Sequence, residues 1–154
     1  MKIALPTEQN TLALGAALAG HARHGDVFAL VGPLGAGKTT LARGFIQKRA
    51  GVDEEVVSPT FTLVQTYDTT ALSIWHFDLY RLKTADEVLE LGLEEALATG
   101  VSLIEWPERL GHLLPKNRRD VTLSLAGGAR EAVLAAHGTW GPRLIELERD
   151  VRNP

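Results

Sequence analysis

The sequence contains no cysteine in 154 residues. That excludes disulfides, a thiolate nucleophile and thiolate-ligated zinc or iron–sulfur centres, and leaves the redox compartment open. No apolar run approaches the roughly 18 residues that a membrane span requires. The opening Met1-Lys2-Ile3-Ala4-Leu5-Pro6 has one lysine and then a proline, not the charged-then-apolar profile of a secretory signal. A cytoplasmic protein without membrane contact is therefore expected. Positive charge is not in excess either: the net charge is −3 and the pI about 5.9. A chain that grips RNA or DNA alone normally shows a basic face, and the one dense basic cluster, Lys116, Arg118 and Arg119, reads equally well as a solvated loop. Repeats, low-complexity tracts and linkers are absent. What is present, 45% hydrophobic and 23% charged residues, suffices for a real core in one domain spanning residues 1–154.

Along the chain, a short strand over residues 3–5 precedes Thr7, which has the character of an N-cap. Leu12, Leu14, Ala16, Leu18 and Ala19 then suit a helix ending near His24 and Gly25. Residues 26–31 form an apolar run between two glycines, the pattern of a buried strand. A glycine-rich loop and a helix over residues 39–50 follow, stopped by Gly51. Residues 60–67 and 71–77 are β-rich and flank a turn, predicting a hairpin. Thr84 and Glu87 have capping-box spacing for a helix to about Leu91; Gly92 interrupts it and residues 93–98 resume. Residues 101–105 read as another apolar strand, and residues 121–125 and 131–135 as a hairpin about Gly127-Gly128. Residues 144–151 fit strand or helix. The whole predicts an α/β sheet, parallel in its centre and mixed at its edge.

Gly32-Pro33-Leu34-Gly35-Ala36-Gly37-Lys38-Thr39 satisfies G-x-x-x-x-G-K-[ST] in full, between a buried strand and a helix. Gly35 and Gly37 let the backbone bend and bring N–H groups close to phosphate oxygens. Those groups and the first helical turn make an anion nest reinforced by the helix dipole. Lys38 is placed for the β- and γ-phosphates, Thr39 for Mg²⁺ and Thr40 for the α-phosphate of a purine nucleoside triphosphate. Such a loop needs an acid at the end of a neighbouring strand, on the metal and water side. Glu105 ends the strand 101–104, with Glu where Asp is commoner. Asp78 ends another, in which the period of two puts Ile74, His76 and Asp78 on one face and Trp75 and Phe77 on the other. Thr60, in Ser58-Pro59-Thr60, is either a γ-phosphate sensor or part of a turn. His76 fits a packed histidine better than a catalyst. Trp106 could be core, cover the nucleotide or face a partner. Arg81 and Arg109 could stabilise transition-state charge, with surface ion pairing as the default. Thr11 on the first helix is a candidate neighbour of the base.

Four segments in order carry a specific resemblance. They are Gly35-Ala36-Gly37-Lys38-Thr39-Thr40-Leu41 with Arg43-Gly44-Phe45, Ser58-Pro59-Thr60-Phe61-Thr62-Leu63-Val64, His76-Phe77-Asp78-Leu79-Tyr80-Arg81-Leu82 and Leu103-Ile104-Glu105-Trp106-Pro107-Glu108-Arg109. The chain resembles the TsaE (formerly YjeE) family, densely over residues 25–114 and loosely outside them. The resemblance implies a P-loop NTPase three-layer sandwich, with a central, mainly parallel sheet and antiparallel edge strands. It implies a Mg²⁺-dependent ATPase, weak alone, that joins TsaB and TsaD while they move a threonylcarbamoyl group onto the adenosine beside the tRNA anticodon. TsaC supplies the threonylcarbamoyl-adenylate donor. ATP turnover then supports repeated cycles rather than the transfer, and tRNA is met only through the complex. Carried over residue by residue, Lys38, Thr39 and Thr40 serve phosphate and Mg²⁺, Asp78 and Glu105 are the essential acids, and Trp106 stands beside them. The choice of ATP over GTP comes from the family alone.

Three other readings fit less well. A small-molecule kinase needs an arginine-rich lid, and the arginines after residue 80 are scattered. A GTPase would read guanine with N-K-x-D; Asn117-Arg118-Arg119-Asp120 only imitates it, because Arg is a poor stand-in for the lysine that packs on the base. A scaffold without catalysis would not be expected to keep Lys38, Thr39, Asp78 and Glu105 together.

Overall fold

The computed structural model describes residues 1–152. Its elements are β1 (Lys2–Leu5), α1 (Glu8–Gly20), β2 (Val27–Val31), α2 (Lys38–Ala50), β3 (Val64–Asp68), β4 (Ser73–Asp78), α3 (Glu87–Glu90), α4 (Leu93–Thr99), β5 (Gly100–Glu105), β6 (Arg118–Ala126), β7 (Ala129–His137) and α5 (Gly141–Arg152). A 3₁₀ segment, Pro107–Leu113, follows β5, and another, Gly138–Trp140, leads into α5. The strands form one sheet in the order β1-β7-β6-β2-β5-β4-β3. β6, β2, β5 and β4 run parallel to their neighbours, while β1 on β7, β7 on β6 and β3 on β4 are antiparallel. The expected P-loop NTPase architecture is present: a parallel centre with antiparallel edges, and helices on both faces.

Period-two alternation sorts the core into two halves. Ile74, Val101 and Leu103 face α1, α2 and Trp140 in the larger cluster. Phe77, Ile104 and partly buried Trp75 face Val88, Leu93, Ala96 and Leu110 in the smaller one. The expected two faces of β4 are thus the observed ones. On the larger side α1 and α2 pack almost backbone to backbone. A Cβ on Gly15 would overlap the carbonyl oxygen of Leu41, and one on Gly44 would overlap that of Leu12. Thr7 caps α1 as expected: its Oγ1 accepts from the Asn10 N–H at 3.3 Å, and Asn10 Oδ1 accepts from the Thr7 N–H at 3.0 Å. Some expectations needed correction, and one left open is settled. α1 stops at Gly20 rather than near His24, since His21 and Ala22 close the helix with N–H bonds to Leu18 and Ala19 carbonyls. Residues 144–151, open between strand and helix, lie in α5. That helix is tied down by Arg143, which donates to both oxygens of Asp26 at 2.7 and 2.8 Å and to the His21 carbonyl at 2.7 Å.

A further correction concerns the basic cluster. Arg118 and Arg119 are not in a solvated loop but open β6. Arg119 is fully buried, its guanidinium 5.4 Å from the Trp140 ring centroid, and among the described residues none of its three nitrogens has a hydrogen-bond partner. Burial pushes its pKa down, against the pull of Glu148 and with the push of Arg143. Among the described residues, no helix is long and apolar enough to cross a membrane.

Candidate functional site

Because β2, β4 and β5 are parallel, whatever follows each of them emerges at the same edge of the sheet. In open α/β sheets that carboxyl edge is where ligands bind. The loop after β2, Asp78 at the end of β4 and Glu105 at the end of β5 therefore converge, and the register pairs Asp78 directly with Glu105. Between them lies an open cleft of about 290 Å³, lined by Gly35, Gly37, Lys38, Thr39, Thr40 and Thr60 with Asp78, Tyr80, Glu105, Trp106 and Arg130. The loop takes the shape its glycines permit: Gly35 and Gly37 have φ of 79° and 106°, in the left-handed region that suits glycine. Leu41 N–H then bonds Gly37 O at 2.9 Å and begins the helical ladder of α2.

Lys38 is almost wholly buried and folds back over its own loop. Its ammonium donates to the carbonyls of Gly32 and of Pro33, the latter at 3.1 Å, and stands 4.0 Å from the centroid of the Trp106 ring. Desolvation holds its pKa below the ordinary lysine value, opposed by Glu105, Glu108 and Asp78. Trp106 has φ 59° and ψ 51° and rests against Tyr80, ring centroids 4.9 Å apart. A bulky residue in that region is strained, and here it carries its indole ring against the Lys38 ammonium and Tyr80.

The two acids are nearly buried and both are tethered. Glu105 accepts from Thr39 Oγ1 at 3.1 and 3.2 Å on its two oxygens, and its Oε2 lies 2.7 Å from His76 Nε2. Asp78 accepts from the Tyr80 N–H at 3.1 Å and from Thr60 Oγ1 at 3.3 Å. Thr60 is thus held at the cleft rather than turned away from it. The structure also brings Thr40 and Trp106 to the cleft, but not Ala36 or Thr11. The Ala36 methyl is in the core and its N–H bonds Pro33 O at 3.2 Å. Thr11 is fully buried behind the loop, its methyl 3.5 Å from where a Cβ on Gly37 would stand, and its hydroxyl has no partner. Arg81 and Arg109 lie against aromatic rings, Arg81 at 4.8 Å from the centroid of Phe61 and Arg109 at 5.9 Å from that of Tyr80.

Arg130 was not anticipated. It stands just past the Gly127-Gly128 turn, at the start of β7. Because β6 runs parallel to β2, that turn lies at the P-loop edge. Arg130 reaches across to donate to Gly35 O at 3.3 Å, with its Nε buried and without a partner. The predicted hairpin held the clue, but only the strand order could use it.

Comparison with known proteins agrees with this geometry. The family model described as threonylcarbamoyl adenosine biosynthesis protein TsaE matches residues 5–132. The tRNA threonylcarbamoyladenosine biosynthesis protein TsaE of Rickettsia bellii is 44% identical over 121 residues, 79% of this chain and 84% of the relative. Its Bacillus subtilis namesake is 39% identical over 140 residues, 90% of this chain and 87% of the relative. Among solved structures, Bacillus subtilis YdiB superposes with a TM-score of 0.78 at 31% identity, covering 99% of this chain and 93% of that one. With the family model spanning all four motif segments and the fold shared over nearly the whole length, the chain belongs to the TsaE family.

Proposed function

We propose that the chain binds ATP with Mg²⁺ at the P-loop and hydrolyses it slowly. In this reading it acts in the cytoplasm with TsaB and TsaD, to support turnover of tRNA N6-threonylcarbamoyladenosine modification at the adenosine next to the anticodon. One observation carries the chemistry: Lys38, Thr39, Asp78 and Glu105 meet in one cleft with a glycine-built anion nest. The donors suit the metal. Thr39 Oγ1 and the Glu105 carboxylate are hard oxygens 3.1–3.2 Å apart, and no cage of three or more His, Asp or Glu side chains exists among the described residues. Mg²⁺ typically takes one or two protein oxygens and completes its shell with waters and substrate phosphates. When bound, it neutralises charge on the β- and γ-phosphate oxygens.

The residues divide the work by position. Loop N–H groups of Gly35 and of Gly37 to Thr40 cradle the phosphates, and Lys38 exchanges the carbonyls of Gly32 and Pro33 for phosphate oxygens. Arg130 adds a second cation from the opposite wall. Glu105, joined to Thr39, takes the metal side. Asp78, joined to Thr60, faces the water side and orients the attacking water. Trp106 covers the loop from above.

The test is ATP hydrolysis by the purified chain, alone and with TsaB and TsaD, with GTP and Lys38→Ala as controls. Slow ATP hydrolysis that the partners alter and that Lys38→Ala abolishes is expected. Rapid phosphate transfer to a small acceptor, or a GTP preference indifferent to the partners, would overturn the reading.

A further inference from the structure

His76 is fully buried, and its side chain does not line the cleft. It therefore cannot touch nucleotide or attacking water. Among the described residues it has one hydrogen-bond partner, the Glu105 carboxylate at 2.7 Å, and its Nδ1 has none. A carboxylate accepts only, so the proton between them sits on Nε2. Leaving a polar ring nitrogen unsatisfied in the core has a free-energy cost, which packing alone would avoid with an apolar side chain at the same place.

The partner explains the cost. Glu105 occupies a strand end where the shorter Asp is commoner, and the added methylene gives the carboxylate one more free torsion. Two groups remove that freedom. Thr39 holds the carboxylate from the first turn of α2, and His76 holds it from β4, the neighbouring strand. The register makes this contact available. β4 pairs Asp78 with Glu105 and His76 with Leu103, so His76 shares the sheet face of Glu105 one step further back. One strand thus carries both the water-side acid at its tip and a strut behind the metal-side acid.

We propose that His76 is a positioning residue whose Nε2–H fixes the Glu105 carboxylate against Thr39, and that this sets the affinity of the nucleotide complex for its divalent cation. The proposal rests on the nucleotide and metal reading of the cleft above. Groups that orient a metal ligand without touching the metal typically change metal affinity or activity by about 10–100-fold when removed.

The experiment compares wild type, His76→Leu, His76→Gln, Glu105→Ala and the double variant Glu105→Ala/His76→Leu. Mn²⁺ binding to each ATP complex is titrated by electron paramagnetic resonance, ATP affinity is measured in EDTA, and kcat and KM are separated. His76→Leu is expected to weaken Mn²⁺ binding about 10–100-fold and to lower kcat, with metal-free ATP affinity unchanged. His76→Gln places an N–H as many bonds from Cβ as Nε2 and restores most of the loss. Adding His76→Leu to Glu105→Ala costs nothing more, because the strut has lost its acceptor. Wild-type Mn²⁺ affinity in His76→Leu, an additive double variant, or a His76→Gln as poor as His76→Leu would overturn the proposal. Should His76→Leu not fold, nitrogen-correlated proton spectra of the wild type decide: a ring proton on Nδ1 instead of Nε2 refutes the strut. A wild type that binds no ATP·Mn²⁺ sinks the nucleotide reading itself, and the proposal with it, and is told apart because no His76 variant is involved.

Discussion

Gly15→Ala should destabilise the protein although alanine is the better helix former. In an exposed helix interior the exchange gains about 1 kcal/mol. At Gly15 the new Cβ would overlap the Leu41 carbonyl oxygen and stand 2.9 Å from the Phe45 backbone nitrogen. Both neighbours are backbone of α2, so no rotamer change can relieve the contact, and α1 must shift from α2. Overpacking of this kind typically costs about 1–3 kcal/mol, and with backbone on both sides the upper part of that range applies. The net expectation is a loss of about 1–2 kcal/mol, or roughly 2–8 °C in melting temperature for a chain of this size. Gly20→Ala is the internal control. It ends the same helix, is exposed, and a Cβ there meets nothing within 4 Å, so it should leave the melting temperature unchanged or raise it. Thermal unfolding followed by circular dichroism reads both. If Gly15→Ala rises along with Gly20→Ala, the helices are not held at backbone distance and the reasoning fails.

Four further outcomes are expected. Lys38→Met should abolish ATP binding by titration calorimetry without lowering the nucleotide-free melting temperature, since it removes a desolvated ammonium at similar volume. The folded-state pKa of Lys38 lies below its unfolded value, so the unfolded chain binds more protons as pH approaches the ordinary lysine value. Wild-type stability relative to Lys38→Met should therefore rise with pH in that window, and a constant difference would refute the assignment. Asp78→Ala should lower hydrolysis by about 100-fold or more while ATP affinity changes little; equal losses in both would move Asp78 to the binding side. Arg130→Ala should weaken ATP about tenfold, the worth of one partly exposed charge-assisted hydrogen bond, at unchanged melting temperature. Arg119→Met should be neutral or stabilising in denaturant titration, because among the described residues the buried guanidinium has no hydrogen-bond partner; a loss above about 1 kcal/mol would refute this.

The parts of the fold and site legible from sequence were those whose chemistry is local. The loop motif needs glycine, lysine and threonine within eight positions, so its chemistry and its shape are written in one stretch. The two faces of β4 followed from alternation alone, and Asp78 and Glu105 were marked because each ends an apolar run. The cap of α1 needed only Thr7 and Asn10, residues three apart. Its end was misplaced because apolar residues continue to Ala22, although the backbone closes at Gly20. The last helix lacked a local signal strong enough to settle it. What fixes it is Arg143 on Asp26, 117 positions away.

What stayed hidden depends on which strands are neighbours. Nothing near Arg130 distinguishes it from a surface arginine, and it becomes a cleft residue only because β6 lies parallel to β2 and returns its hairpin turn to the P-loop edge. Arg119 was misread for the matching reason: charge predicts exposure, yet the side chain lies beneath the segment that carries Trp140. His76 shows the same limit in its sharpest form. The alternation of β4 put it on the face of Asp78, and a packed histidine was a correct description of its burial. Its meaning lies in a carboxylate 29 positions later, reached because β4 and β5 pair in a register that no single segment encodes. A buried polar residue invites a reading beyond packing when its partner among the described residues is a cleft-lining carboxylate on the next strand. That is also why the pair, rather than either residue, is the unit to test.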